Sequence, residues 1–215
     1  MRHAEVRYFQ GEHPREVVLT EHGREQALAA ADALHSLRFD RVITSGLPRT
    51  VETARAVVPD AEIEAIPGLR EIESGELRGV APEVVQELMT VAFRGVVPLD
   101  TRFLGGETIG ALFDRVLPEL DGLLADEDWD VALLVLHGAV NRSILGRALT
   151  GDRVFLGAFE QAPGCINVLD VDRRRDFIVR AVGYTPYDPV AEAAPRQTTM
   201  EHLWQEYLDA RSRNP

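Results

Sequence analysis

Two histidines, two arginines and one glutamate stand where a reading of the sequence places the ends of strands. His3 lies at the chain start, and His137 directly follows the apolar run Val131 to Leu136. Arg2 adjoins His3, Arg49 opens a helix after the strand-like Arg41 to Thr44, and Glu71 follows the strand-like stretch from Ile63 to Leu69. A lone histidine after a strand is most often a packed structural residue, so it is the company of these two that carries weight. In folds that alternate strands and helices, ligands sit at the carboxyl ends of the strands. That edge would bring all five residues to one cleft.

The rest of the composition narrows what such a cleft could do. The chain has 215 residues with 23 basic and 35 acidic side chains, a formal charge of −12, and every basic residue is arginine. The absence of lysine removes the Walker phosphate loop, Schiff-base chemistry and pyridoxal enzymes. Anionic groups must then be handled by arginine, histidine, hydroxyls or backbone amides. The acidity argues against nucleic acid as a partner, since phosphate neutralisation needs a basic surface. Arg173 to Arg175, the one basic cluster, reads as a hairpin turn, and most other arginines read as surface charge. The longest aliphatic run, Val131 to Leu136, is far below the roughly 20 residues of a membrane span. No apolar stretch follows Arg2 and His3 to make a signal peptide, and a single cysteine, Cys165, fits a reducing compartment, so the expectation is a cytoplasmic protein with no membrane partner.

Periodicity supplies the elements that must position the five residues. Thr20 and Glu21 start a helix of about four turns with Ala27, Ala30, Ala31, Leu34 and Leu37 at helical spacing. Arg41 to Thr44 is a short strand, Leu47 to Val58 a helix with Pro48 in its first turn, and Glu62 to Ile66 a half-exposed strand. Pro82 to Phe93 and Thr108 to Leu124 read as helices, and Pro118 predicts a kink or break in the second. Val131 to Leu136 reads as a strand buried on both faces and Gly138 to Leu149 as a helix. Cys165 to Val171 and Phe177 to Val182 form two strands around an Asp172 to Asp176 turn, and Met200 to Ala210 forms a closing helix after a loose Tyr184 to Arg196 stretch.

Five blocks carry a resemblance: RHAE (2–5), LTEHGREQA (19–27), SGLPRTVETA (45–54), LREIESGELRG (69–79) and LHGAVNRSIL (136–145). In order and spacing they resemble the histidine phosphatase superfamily, also called phosphoglycerate mutase-like. GGET (105–108) is then the family's loop before a helix, although a glycine turn with a threonine cap accounts for it nearly as well. The resemblance implies a three-layer α/β/α fold with a mostly parallel sheet in a single domain (1–215), a helical lid or insertion over 80–130, and a loose segment with a C-terminal helix over 184–215. It implies His3 as the nucleophile that becomes a phosphohistidine, Arg2, Arg49 and protonated His137 as the phosphate pocket, and Glu71 as the proton donor, with Glu73 as its rival. It implies no metal and no cofactor, because guanidinium forks can supply the charge that magnesium supplies elsewhere.

Two departures stand out. The apolar strand before the Arg-His pair is short or missing, which predicts a frayed nucleophile and an upstream extension. Val6 and Phe9 replace side chains that could hydrogen-bond phosphate. The 80–130 segment carries only Arg94, Arg102 and Arg115 as basic residues. This favours a histidine acid-type phosphatase acting on a small-molecule phosphate ester over the alternative of a phosphoglycerate mutase, which would hold a second phosphate. Val84, Leu88, Phe93, Val96, Val97, Leu99 and Phe103 suggest an apolar or aromatic portion in the substrate, or simply core. A weakly active binding or scaffold module is the alternative of another class, and a homodimer is left open.

Overall fold

The computed structural model describes residues 1–10, 13–77, 80–90, 93–172, 174–189 and 197–213. Its centre is a parallel sheet in the order β2 (Ile63–Ala65), β1 (Arg41–Thr44), β4 (Ala132–Val135). Side chains alternate across the pleat, and the core divides accordingly. Val42, Leu133 and Val135 pack on one face with Ala30 of α1 (Glu21–Leu34) and Ala54 and Val57 of α2 (Pro48–Val57). Ile43 and Leu136 belong to the other face, covered by Leu112, Val116 and Leu120 of α4 (Ile109–Ala125) and Val140 and Ile144 of α5 (Gly138–Thr150). Helix, sheet and helix form the three expected layers.

The chain start is a short extended segment tied by main-chain bonds on both sides. Leu136 N donates to Met1 O at 2.9 Å, His3 N to Leu136 O at 2.8 Å, and Arg2 N to Cys165 O at 3.0 Å. Gly164 N donates in turn to His3 O at 3.0 Å, and Arg2 bridges Leu136 in parallel. Residues 1–3 therefore lie between β4 and the residues leading into β6 (Ile166–Val171), and His3 is fully buried.

Most expected elements recur with trimmed ends. Thr20 caps α1 by accepting from Gly23 N, and Thr108 caps α4 by accepting from Ala111 N. α3 spans Pro82–Thr90, and the 91–92 end of its predicted helix lies outside the described residues. β6 and β7 (Phe177–Tyr184) form an antiparallel hairpin with Arg174 and Arg175 in its turn, while Arg173 lies outside the described residues. Of the predicted loose stretch, 190–196 lies outside them too, and Tyr184 is the last residue of β7. The antiparallel pair of β3 (Val96–Val97) and β5 (Phe155–Leu156) is an addition to the sequence reading.

Three expectations need correction. α4 runs through Pro118 unbroken, because buried Val116 and Leu120 hold the helix against the core on either side of it. β4 is not buried throughout: Ala132 and Leu134 are half-buried and Val131 is exposed at its start. Of the apolar residues in 80–130, Phe93 and Val97 are core, whereas Val84, Val96 and Leu99 are exposed. Those residues therefore form no single apolar surface for a substrate.

One close approach bears on the nucleophile. A Cβ on Gly23 of α1 would overlap the Glu5 carbonyl oxygen, two residues beyond His3, whereas one on Gly122 of α4 would meet nothing within 4 Å. Gly23→Ala is expected to cost about 1–3 kcal/mol by overpacking, and Gly122→Ala to add about 0.5–1 kcal/mol by helix propensity. Denaturant unfolding of both variants checks the pair, and equal effects would contradict the packing described.

Candidate active site

His3, His137, Arg2 and Arg49 are brought together at the carboxyl edge of the sheet, and none is more than 6% exposed. The two imidazoles meet edge to face with centroids 5.2 Å apart. His3 Nδ1 lies 2.7 Å from Ala4 O, an acceptor only, so that nitrogen carries the proton and Nε2 carries the lone pair. The loop that presents it is pinned to α2, since Ala4 N donates to Thr53 Oγ1, which donates to Arg49 O. Burial first, then the charges of Arg49 and Arg2, hold the His3 imidazole well below the ordinary histidine range.

His137 is the N-cap of α5 and follows β4 directly. Its Nε2 is 2.8 Å from Ser45 Oγ, in the loop after β1. Thr50 gives its hydroxyl proton to Leu47 O, so Ser45 donates to Thr50 and accepts from His137 Nε2, which leaves His137 Nδ1 as a nitrogen with no protein partner. Burial, then Arg49, His3, Arg2 and Arg115, push His137 well below the ordinary range. Burial among cations disfavours the charged imidazole in the free protein, and the protonated His137 expected of the phosphate pocket belongs to the anion-bound state.

The arginines are held by only part of each guanidinium. Arg2 Nη1 donates to Gln161 O and to Thr199 Oγ1 at 3.0 Å, and Arg49 Nη1 donates to Pro14 O at 3.0 Å. A third arginine joins them. Arg142 is 7% exposed on the first turns of α5, and its Nη1, the Glu71 carboxylate and Arg2 Nε all border the position of a Cβ on Gly138. Among the described residues five buried side-chain nitrogens lack a partner, and four of them are Arg2 Nε, Arg49 Nε, Arg142 Nε and His137 Nδ1. Each such group costs about 1–3 kcal/mol if left unpaired.

Glu71 stands beside these donors. Its Oε1 accepts from Ile72 N at 3.0 Å and from Ala139 N at 3.1 Å in the first turn of α5. Arg115 of α4 fixes the loop that carries it, donating to the carbonyls of Gly68 (2.8 Å), Arg70 (2.6 Å) and Glu71 (3.1 Å) and pairing with Glu107 at 2.8 Å. Glu107 of the GGET segment closes the clamp, since Glu73 N donates to its Oε2 and its own N donates to Glu73 O. The Glu73 carboxylate is half exposed and pairs with Arg15, whereas the Glu71 carboxylate accepts from the first turn of α5. Arg78 and Gly79, the end of that sequence block, lie outside the described residues.

Sequence reasoning missed Arg142, Arg115, Ser45 and Tyr8, whose hydroxyl is 3.4 Å from His3 Nε2. Arg142 left a signal. A cation near a helix N-terminus opposes the macrodipole, so an arginine five residues after His137 is out of place unless an anion or carboxylate meets it. Ser45, Tyr8 and Arg115 left none, because ordinary packing would use the same residue types.

Comparison with known proteins identifies the family and the fold. The chain is 30% identical over 174 residues to a probable 2-carboxy-D-arabinitol-1-phosphatase of Arabidopsis thaliana, a match over 79% of this chain and 35% of that protein, so the chain spans only about a third of it. It is 30% identical over 170 residues to phosphoserine phosphatase 1 of Hydrogenobacter thermophilus, over 75% of this chain and 79% of that one. The alpha-ribazole phosphatase structure from Shigella flexneri superposes with a TM-score of 0.66 at 23% identity, covering 85% and 94% of the two chains, a likeness of fold. A family model described as histidine phosphatase superfamily (branch 1) matches residues 1–182. With its imidazole pair, its arginines and its glutamate at one sheet edge, the chain belongs to the histidine phosphatase superfamily, branch 1.

Proposed function

We propose that the protein hydrolyses a small phosphorylated metabolite through a phosphohistidine at His3, without a metal ion. The observation that carries the reading is the burial of Arg2 and Arg49, each with an unpaired Nε, beside an imidazole whose Nδ1 is anchored to Ala4 O, with buried Arg142 next to Arg2 and Glu71 at the Gly138 position. Two of the relatives, one named a probable phosphatase and one a phosphatase, support the reaction class, while two others carry phosphoglycerate mutase names.

In the first step His3 Nε2 attacks phosphorus, the P–O bond to the alcohol breaks, and Glu71 gives the leaving oxygen its proton. In the second, water attacks the phosphohistidine, the N–P bond breaks, and Glu71 takes the water proton as phosphate leaves. The charge on the equatorial oxygens meets the guanidinium forks and His137 Nδ1, which takes up a proton as the dianion arrives, and fixed donors in a dry site supply most of the stabilisation such a transfer needs. A nucleophile kept neutral well below the ordinary histidine range goes on attacking in mildly acidic solution, which supports the acid-type reading.

Hydrolysis is favoured over mutase transfer because 80–130 carries only three arginines in a stretch that is otherwise mostly apolar or acidic, and one of them, Arg115, serves the Glu71 loop. We read 80–130 as the insertion that meets the leaving group, within a single cytoplasmic domain that acts on a small molecule and needs no nucleic acid. Among the described residues no helix is long and apolar enough to cross a membrane.

Turnover of p-nitrophenyl phosphate in the presence of EDTA is the direct test. It is expected to persist in the native protein and to vanish in His3→Ala. Glu71→Gln is expected to slow alkyl phosphates at least tenfold more than p-nitrophenyl phosphate, whose leaving group needs little protonation. Equal losses on both substrates would remove Glu71 as the acid.

A pH-linked measurement checks His137. Neutral in the free protein, it gains proton affinity when a dianion arrives, so tungstate binding near pH about 6.5 should take up protons. Calorimetry in buffers of different ionisation enthalpy reads this directly. The expected uptake falls in His137→Gln, and binding with no uptake by the native protein would contradict the assignment.

A further inference from the structure

We propose that the Tyr8 hydroxyl is a catalytic group: it holds the lone pair of His3 Nε2 in the free enzyme and passes its hydrogen bond to a phosphoryl oxygen when the ester binds. The inference rests on the phosphohistidine reading above and adds a residue which that mechanism does not use. Tyr8 Oη lies 3.4 Å from His3 Nε2. Because Nδ1 commits the imidazole proton to Ala4 O, Nε2 has no hydrogen and the phenol is the donor.

The position of that hydroxyl is what makes it chemical. A phosphorus about to be attacked stands about 3–3.5 Å from the nucleophile, and its equatorial oxygens spread through the same shell around Nε2. The Tyr8 oxygen sits at the edge of that shell, so a small turn of the ring exchanges the nitrogen acceptor for a phosphoryl oxygen. The turn frees the lone pair at the moment it is needed and leaves no polar group unpaired. No bond to Tyr8 forms or breaks: the P–O bond to the alcohol breaks, the P–Nε2 bond forms, and the phenolic proton stays on its oxygen. Nothing else on the 4–9 loop offers the nucleophile a hydroxyl. Val6 is buried among Val17, Leu19 and Ala27, and the Phe9 ring packs edge-on against Tyr207 with centroids 5.7 Å apart.

Tyr8 is held in place from two sides. The Arg49 guanidinium lies 5.6 Å from its ring centroid, and its amide donates at 3.2 Å to Glu206 Oε2 of α6 (Thr199–Arg213). The same helix reaches the pocket again at Thr199, which accepts from Arg2, and it seats Leu203, Trp204 and Tyr207 against Val85 and Met89 of α3. α6 lies beyond the 1–182 match to the family, so the group beside the nucleophile is set by an element outside the shared segment.

Tyr8→Phe keeps the ring and its packing and removes only the hydroxyl. Losing a donor to a charged oxygen should weaken orthovanadate binding about 10- to 100-fold and lower kcat for p-nitrophenyl phosphate by a similar factor. Native melting by thermal scan separates this from misfolding. Vanadate affinity that is unchanged or tighter in Tyr8→Phe, with native protein that binds vanadate and turns over ester, would overturn the role of Tyr8 alone. Native protein that neither binds vanadate nor turns over ester would overturn the underlying reading and this role with it. A readout independent of turnover is the 15N spectrum of the histidines in the free protein. The His3 Nε2 resonance should move toward that of an unbonded acceptor nitrogen in Tyr8→Phe, and an unchanged resonance would also overturn the proposal.

Discussion

The structure turns on a concentration of positive charge where water is excluded. Among the described residues neither Arg2 nor Arg49 has a carboxylate within 4.0 Å, and Arg142 has only Glu160 at 3.9 Å. Burying unneutralised guanidinium groups is costly in a low-dielectric site. In a chain of formal charge −12, with 35 acidic side chains available, pairing each one would be easy. Their isolation is therefore a property of the site. It also accounts for the two imidazoles, which stay neutral beside such charge.

Keeping the cluster intact is the task of the surrounding elements. The parallel strands deliver His137 and the Ser45 loop, and the 1–3 edge delivers Arg2 and His3 through main-chain bonds that span both β4 and Cys165. α2 presents Arg49 from its first turn and holds the nucleophile loop through Thr53. α4 contributes Arg115, a cation used as a clamp on carbonyls, and so sets the height of Glu71 against the first turn of α5. The absence of lysine suits this arrangement, since planar forks can bind main-chain oxygens on one edge and an anion on the other.

Much of this was legible in the sequence because strand ends are legible. His137 stands directly after the short apolar run of β4, while Arg49 and Glu71 lie five and six residues beyond the ends of β1 and β2, in the loops and first turn that those strands lead into. What was not legible depended on tertiary context. Met1 to His3 look too short to be held, and only the pairing with Leu136 and Cys165 secures them. Pro118 carries a local helix-breaking signal that the packing of its neighbours overrides. Tyr8 and Ser45 are ordinary residues until the fold sets them against imidazole nitrogens. The lowered proton affinity of His137 depends first on its burial and then on Arg49, His3 and Arg2, which arrive from distant parts of the chain.

The central claim is that the His3 nitrogen carries the phosphoryl group between the two steps. Rapid acid-free quenching of the protein after brief exposure to a 32P-labelled phosphate ester, followed by peptide mapping, tests it most directly. The account predicts an acid-labile, alkali-stable phosphate on the peptide containing His3, absent in His3→Ala and longer-lived in Glu71→Gln. Steady turnover with no label on that peptide, or label that survives in His3→Ala, would contradict it.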